Sequence, residues 1–121
     1  MLKRVSIADR RFTLTAVERD GQWIAHAFRE DDGDRFGIEC AAASEPDAIG
    51  LLTEWLEWQH EHASALEALQ RVERDYHRTI AGSAFASPTE SPSALELQKK
   101  SLEAVEAARV RLDEVRARKP R

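Results

Sequence analysis

The 121 residues predict an α+β protein: a small antiparallel β-sheet of three to four strands, then a long helix and an antiparallel α-helical hairpin or coiled coil. Three observations predict it. Two β-rich runs flank an Asp-Gly pair in the first third of the chain. Apolar residues then recur at three- and four-residue steps after Ser44. A break rich in proline and small residues separates that segment from a second helical stripe.

In "RFTLTAVERDGQWIAHAF" the strands are Phe12 to Val17 and Trp23 to Phe28. The intervening Asp20-Gly21 tolerates the positive φ values of a tight hairpin turn. "EDDGD", Glu30 to Asp34, marks a second turn and is too poor in spaced oxygen ligands for a calcium loop. Arg35 to Ala41 reads as the third strand, with Lys3 to Ile7 as a short edge strand. Both faces of the hairpin carry apolar residues, so the pattern leaves the buried face open.

Ser44 is placed to cap a helix, with Asp47 three positions on and Pro46 in the tolerant first turn. Leu52, Trp55, His62, Leu66, Leu69, Val72, Tyr76 and Ile80 follow at helical spacing. A helix running to about Ala81 would be roughly 50 Å long, more than a few short strands can cover. It therefore needs a second partner. "AGSAFASPTESPS" turns the chain, and both Ser87–Glu90 and Ser93–Glu96 resemble capping boxes. Leu95, Leu102, Val105, Ala108, Leu112 and Val115 form the second stripe, and Pro120 ends it. The expected organisation is a sheet portion over 1–45, a helix over 46–81 that packs on the sheet and extends beyond it, a loop over 82–92 and a C-terminal helix over 93–119.

Charge predicts how the helices pair. Phe36 to Gln70 contains seven acidic residues and no lysine or arginine, whereas Arg109 to Arg121 contains six basic residues against Asp113 and Glu114. If the break reverses the chain, facing positions sum to about 173. Leu102 then faces Val72, Val105 faces Leu69 and Val115 faces Trp58. Arg116 and Arg118 lie beside Glu57 and Glu54. The same complementarity between two chains would give a four-helix dimer. The expected interaction residues are Trp55, Trp58, His62, Leu66, Leu69, Val72, Leu102, Val105, Leu112 and Val115. Glu54, Glu57 and Glu61 supply the negative side of the charge match, and Arg109, Arg116 and Arg118 the positive side.

Nothing in the chain reads as catalytic. "EWLEWQHEH", Glu54 to His62, is dense in carboxylates and histidines, and Glu57 with His60 has the Glu-x-x-His step of di-iron bundles. Its only near counterpart is Glu73 with His77, roughly four turns away. A packing edge of Trp55, Trp58 and His62 beside an acidic ridge is the stronger reading, with metal binding as the alternative. Cys40 and His26, on adjacent strands, are the one nucleophile–base pair to consider. A lone cysteine among alanines is more often a small core residue. Phosphate loops, dinucleotide fingerprints, HExxH and CxxC motifs are absent from the sequence. No cofactor is expected.

The net charge of −4 disfavours a general affinity for nucleic acid. The basic end "RVRLDEVRARKPR" keeps a local contact in play, with Arg116, Arg118 and Lys119 as its carriers. A single cysteine fits a reducing cytoplasm, and the sequence shows neither a signal peptide nor an apolar run that could span a membrane. Phe85 could tether the loop or hook a partner.

"FTLTAVERDGQWIAHAF" followed by "GIECAAASEPDAIGLLTEWLE" resembles the HicB antitoxin-like domain over roughly residues 10–58. Asp20, Gly21, Trp23 and Ala25 match that family's hairpin turn. Gly37, Ser44, Asp47 and Ala48 match the approach to its helix. The resemblance implies a β-β-β-α fold, usually dimeric, that binds a partner protein through its sheet and helix. Many members neutralise a small ribonuclease toxin and repress their own operon through a C-terminal DNA-binding segment. This chain carries a helical hairpin there instead. The sequence thus predicts a non-enzymatic interaction and dimerisation module, acting as a homodimer or on a partner protein. The alternative is an antitoxin-like regulator that touches DNA through its basic end.

Overall fold

The computed structural model describes residues 2–84 and 92–120. Four strands, β1 (Leu2–Ile7), β2 (Arg10–Arg19), β3 (Gln22–Arg29) and β4 (Arg35–Ala42), form an antiparallel meander in the order β1-β2-β3-β4. Two helices follow, α1 (Glu45–Ala84) and α2 (Pro92–Ala117). The fold class is therefore the expected α+β, with all four strands present. The chain divides into two compact units, Met1–His60 with Lys119–Arg121, and Glu61–Arg118.

In the first unit, the β2–β3 turn is the one Asp-Gly dictates. Asp20 has φ 53° and Gly21 φ 81°, and Arg19 pairs with Gln22 on either side. Positive φ at both central residues matches the turn to the right-handed twist of its strands. The β3–β4 turn is held by Arg29, whose N–H donates to the Asp34 carbonyl at 2.9 Å and whose carbonyl accepts from Gly33 at 2.8 Å. Within it the Asp32 carboxylate accepts the Asp34 N–H at 2.9 Å and meets the Arg29 guanidinium at 3.0 Å. These bonds hold the Asp32 carboxyl below its ordinary range, the Asp34 N–H contributing most and Arg29 next.

Alternation along the strands selects the buried face. Phe12, Leu14 and Ala16 are buried while Thr13 and Thr15 are not, and Ala25 and Ala27 continue the buried face on β3. Ala48, Ile49, Leu52 and Leu56 of α1 close this core. Their spacing is one helical stripe. Opposed alanines on sheet and helix allow a close approach. Leu56, 2% exposed, is a main anchor that the predicted stripe omits.

The α1 N-terminus is built as its sequence predicts. The Asp47 N–H donates to Ser44 Oγ at 3.3 Å and the Ala48 N–H to the Ser44 carbonyl at 3.0 Å. Two of the helix's otherwise unpaired donors are thereby satisfied.

β4 departs from regular pairing. Ala25 pairs with Cys40 but Ala27 with Phe36, so β4 carries extra residues around Gly37. Gly37 has φ 81°, and Trp55 packs against it. A one-dimensional strand pattern contains no mark of this bulge beyond the glycine itself.

In the second unit α1 and α2 form a helical hairpin. Ala65 and Leu69 of α1 are buried, as are Val105, Leu112 and Val115 of α2. Val72 and Asp75 share a groove with Leu97, Lys100, Ser101 and Ala104. Glu61 meets Arg118, so the helices run antiparallel. α2 begins at Pro92, which places Ser93 inside the helix and not at its cap. The other cap candidate, Ser87–Glu90, and Phe85 lie outside the described residues.

Candidate functional site

The acidic stretch that looks most like chemistry separates into ordinary surface. Glu54, Glu57 and Glu61 are exposed, as is His60, whereas Trp55, Trp58 and His62 are half-buried. Trp55 joins the sheet core. Trp58 receives the Lys119 ammonium 5.6 Å from its ring centroid. This is a cation–π distance, worth about 0.5–1 kcal/mol at an exposed site.

His60 borders a cavity of about 20 Å³ with Ile7, Arg10, Phe12, Phe36, Leu56 and Gln59. That volume holds about one water molecule and no cofactor. The positive charge of Arg10, which also lines it, opposes a cation there. Glu73 and His77 share a groove with Arg74 and Arg78, which is again adverse to a metal ion. Among the described residues, no three His, Cys, Asp or Glu side chains converge on a common point as metal ligands do.

The hairpin places the predicted interaction residues unevenly. Leu69, Val105, Leu112 and Val115 are buried in its seam, while Leu66 and Val72 are half-buried. Leu102 is 40% exposed, and the groove beside Val72 is closed by Leu97, Ser101 and Ala104 instead. The reason is angular. Leu102 stands about 60° round the helix from Val105, on the side away from Leu112. Ala65, 1% exposed, takes a seam position that the larger residues of the predicted stripe obscure.

The charge match also shifts. Arg118 meets Glu61 at 3.6 Å, where equal-rise facing pairs it with Glu54. Arg116 Nε donates to His62 Nε2 at 3.4 Å, where facing pairs it with Glu57. Helical side chains lean toward their own N-terminus. In an antiparallel pair the arginines and their partners therefore lean toward one another, and long side chains meet more than a turn away from the backbone facing position. Arg109 is exposed.

On the sheet, His26 and Cys40 do occupy adjacent strands, but on opposite faces. Cys40 pairs with Ala25 and packs against the core. Burial pushes its thiol pKa up, away from the reactive thiolate. His26 faces the other way and is held by Arg35 and Glu39. The Arg35 guanidinium contacts both His26 Nδ1 and Glu39, and His26 Nδ1 lies 3.8 Å from Glu39 Oε1. Burial lowers the His26 pKa most, the Arg35 and Arg19 charges lower it further, and Glu39 opposes them. This triad lies among Thr15, Phe28 and Ile24 on the sheet face turned away from α1. Sequence alternation alone could have linked His26 with Phe28 and Ile24, but the Arg35–Glu39 bridge depends on the β4 bulge.

The arrangement supplies surfaces of mixed charge and apolar character, and among the described residues it leaves Cys40 and His26, the pair considered above, on opposite faces of the sheet. No helix among the described residues is long and apolar enough to cross a membrane. Compared with family models, curated proteins and solved structures, the chain matches none of them.

Proposed function

We propose that this protein is a non-enzymatic interaction module whose helical hairpin associates with a second copy of itself. The observation that carries this reading is the apolar surface outside the hairpin seam. Ile80 of α1 and Leu95, Leu102 and Val110 of α2 are each 40% exposed or more. A single seam between two helices buries few side chains, and a further apolar row is what a four-helix association would cover. The resemblance of residues 10–58 to a domain that is usually dimeric and binds proteins points the same way.

The DNA-binding alternative rests on Arg116, Arg118 and Lys119. Each of these has an intramolecular partner, namely His62, Glu61 and Trp58. Their engagement supports the protein-interaction reading over the nucleic-acid one.

Light scattering coupled to gel filtration tests the proposal. The full chain is expected to run as a dimer, and a Leu95→Lys/Leu102→Lys variant as a monomer with unchanged circular dichroism. A wild-type chain that stays monomeric at the highest attainable concentration removes the reading.

A further inference from the structure

The four-stranded sheet has one face packed on α1 and another turned away from it. Strand alternation and register define what the second face presents. Arg4, Thr13, Phe28 and Arg35 oppose one another directly across β1, β2, β3 and β4. Strands about 4.8 Å apart place the two arginines of that row about 14 Å from each other. Arg11 and Arg19 lie on the same face at the two ends of β2, eight residues and about 26 Å apart. Val17 and Ile24 form a neighbouring pair between them. The face is thus an apolar and aromatic patch, with Arg4, Arg11 and Arg35 grouped at the Phe28 end and Arg19 at the other end beyond Val17.

The face is accessible. Val17 is 48% exposed, and the side chains of Arg4 and Arg35 are 80% and 50% exposed. Arg4 pairs with Glu30 and Arg35 with Glu39, whereas Arg11 and Arg19 have no carboxylate partner among the described residues. In a chain of net charge −4, this concentrates positive charge on one surface.

We propose that this face docks a partner protein whose contact patch is apolar and rimmed by carboxylates. An apolar centre with an arginine-rich rim is the usual build of a protein–protein surface. Charge complementarity selects the partner. Two copies of this face would bring arginine rims together, which opposes an isologous homodimer through the sheet. A nucleic-acid strand finds one phenylalanine for stacking, and its evenly spaced phosphates meet Glu39 and Glu30 beside two of the arginines. A protein can place its few carboxylates opposite Arg11 and Arg19 and leave those positions clear. The inference rests on the chain's being an interaction module but uses a surface separate from the hairpin.

The test is an NMR titration of the full chain with three probes. The first is a synthetic amphipathic helix with a leucine stripe flanked by glutamates. The second is the same peptide with lysine for glutamate, and the third is oligouridylate. The acidic peptide is expected to shift the amides of Thr13, Ile24 and Phe28, and its Kd to rise about tenfold in an Arg11→Glu/Arg19→Glu variant. The lysine peptide and the oligonucleotide are expected to leave those amides unmoved. Equal affinity of the variant, or no shift with the acidic peptide, overturns the proposal. So do oligouridylate shifts at these residues, or concentration-dependent shifts there without a probe. Loss of the hairpin dimer in light scattering is a different readout and leaves this test intact.

Discussion

The indole of Trp55 rests on Gly37 at the place where any other residue would put its β-carbon. Built there, that atom lies 2.5 Å from Trp55 Cζ3, and the Gly37 φ of 81° is itself unfavourable for an L side chain. One glycine thus serves both the β4 bulge and the seating of α1 on the sheet.

Gly37→Ala should therefore cost more than backbone strain alone. Gly21 also has φ 81° but has nothing within 4 Å of its built β-carbon, which makes it the control. Gly21→Ala is expected to lose about 1–2 kcal/mol. Gly37→Ala should lose about 1–2 kcal/mol more, because overpacking adds to the strain. Urea denaturation measures both. In a Trp55→Ala background the excess should vanish, and its persistence would show that Trp55 is not its source.

The seam of the hairpin predicts an inversion of the usual size rule. Val105 is 2% exposed and Leu102 40% exposed. Val105→Ala should cost roughly 2 kcal/mol through lost burial and a residual cavity. Leu102→Ala removes a larger side chain but should stay within about 0.5 kcal/mol when measured at concentrations where chains are separate. A larger loss for Leu102 would place it in the seam after all.

His26 links the open sheet face to pH. Its folded pKa lies below 6.5, chiefly through burial and then through Arg35. Between that folded value and 6.5 the unfolded chain binds a proton that the folded chain does not. Stability is thus fully present above 6.5 and is lost as pH falls through the folded pKa. His26→Gln should flatten the stability profile over this window, as read by thermal melts in a pH series. Asp32 adds a separate loss at lower pH, below 3.8, since its carboxyl is also depressed.

The Glu61–Arg118 pair should matter for register more than for stability. Both side chains are more than half exposed, and a double-mutant cycle should give a coupling of about 0–1 kcal/mol that shrinks in high salt. Coupling well above that range, or insensitive to salt, would mark a desolvated pair.

Local chemistry was legible where a short segment carries its own constraint. Asp20-Gly21 needs no distant contact to favour two positive φ values, and Ser44 caps a helix with the backbone three and four residues on. Charge asymmetry between residues 36–70 and 109–121 and the break between them indicate an antiparallel hairpin. The open-face site was less legible. His26 was visible only as a partner for Cys40, since strand adjacency without register does not tell opposite faces apart.

By itself, then, the sequence determined the order of elements, the β2–β3 turn, the α1 cap and the antiparallel sense of the helices, because each follows from nearest-neighbour conformational preference or from periodicity. Only the tertiary structure decided which sheet face is buried, since apolar residues occupy both and a shift of one residue exchanges them. It also decided the bulge at Gly37, where Trp55 packs against the backbone. The helix seam belongs to the same class. Ala65 rather than Leu102 is buried there, and Arg118 meets Glu61 rather than Glu54, because side-chain direction and packing distance act between helices and leave no trace in spacing along either one.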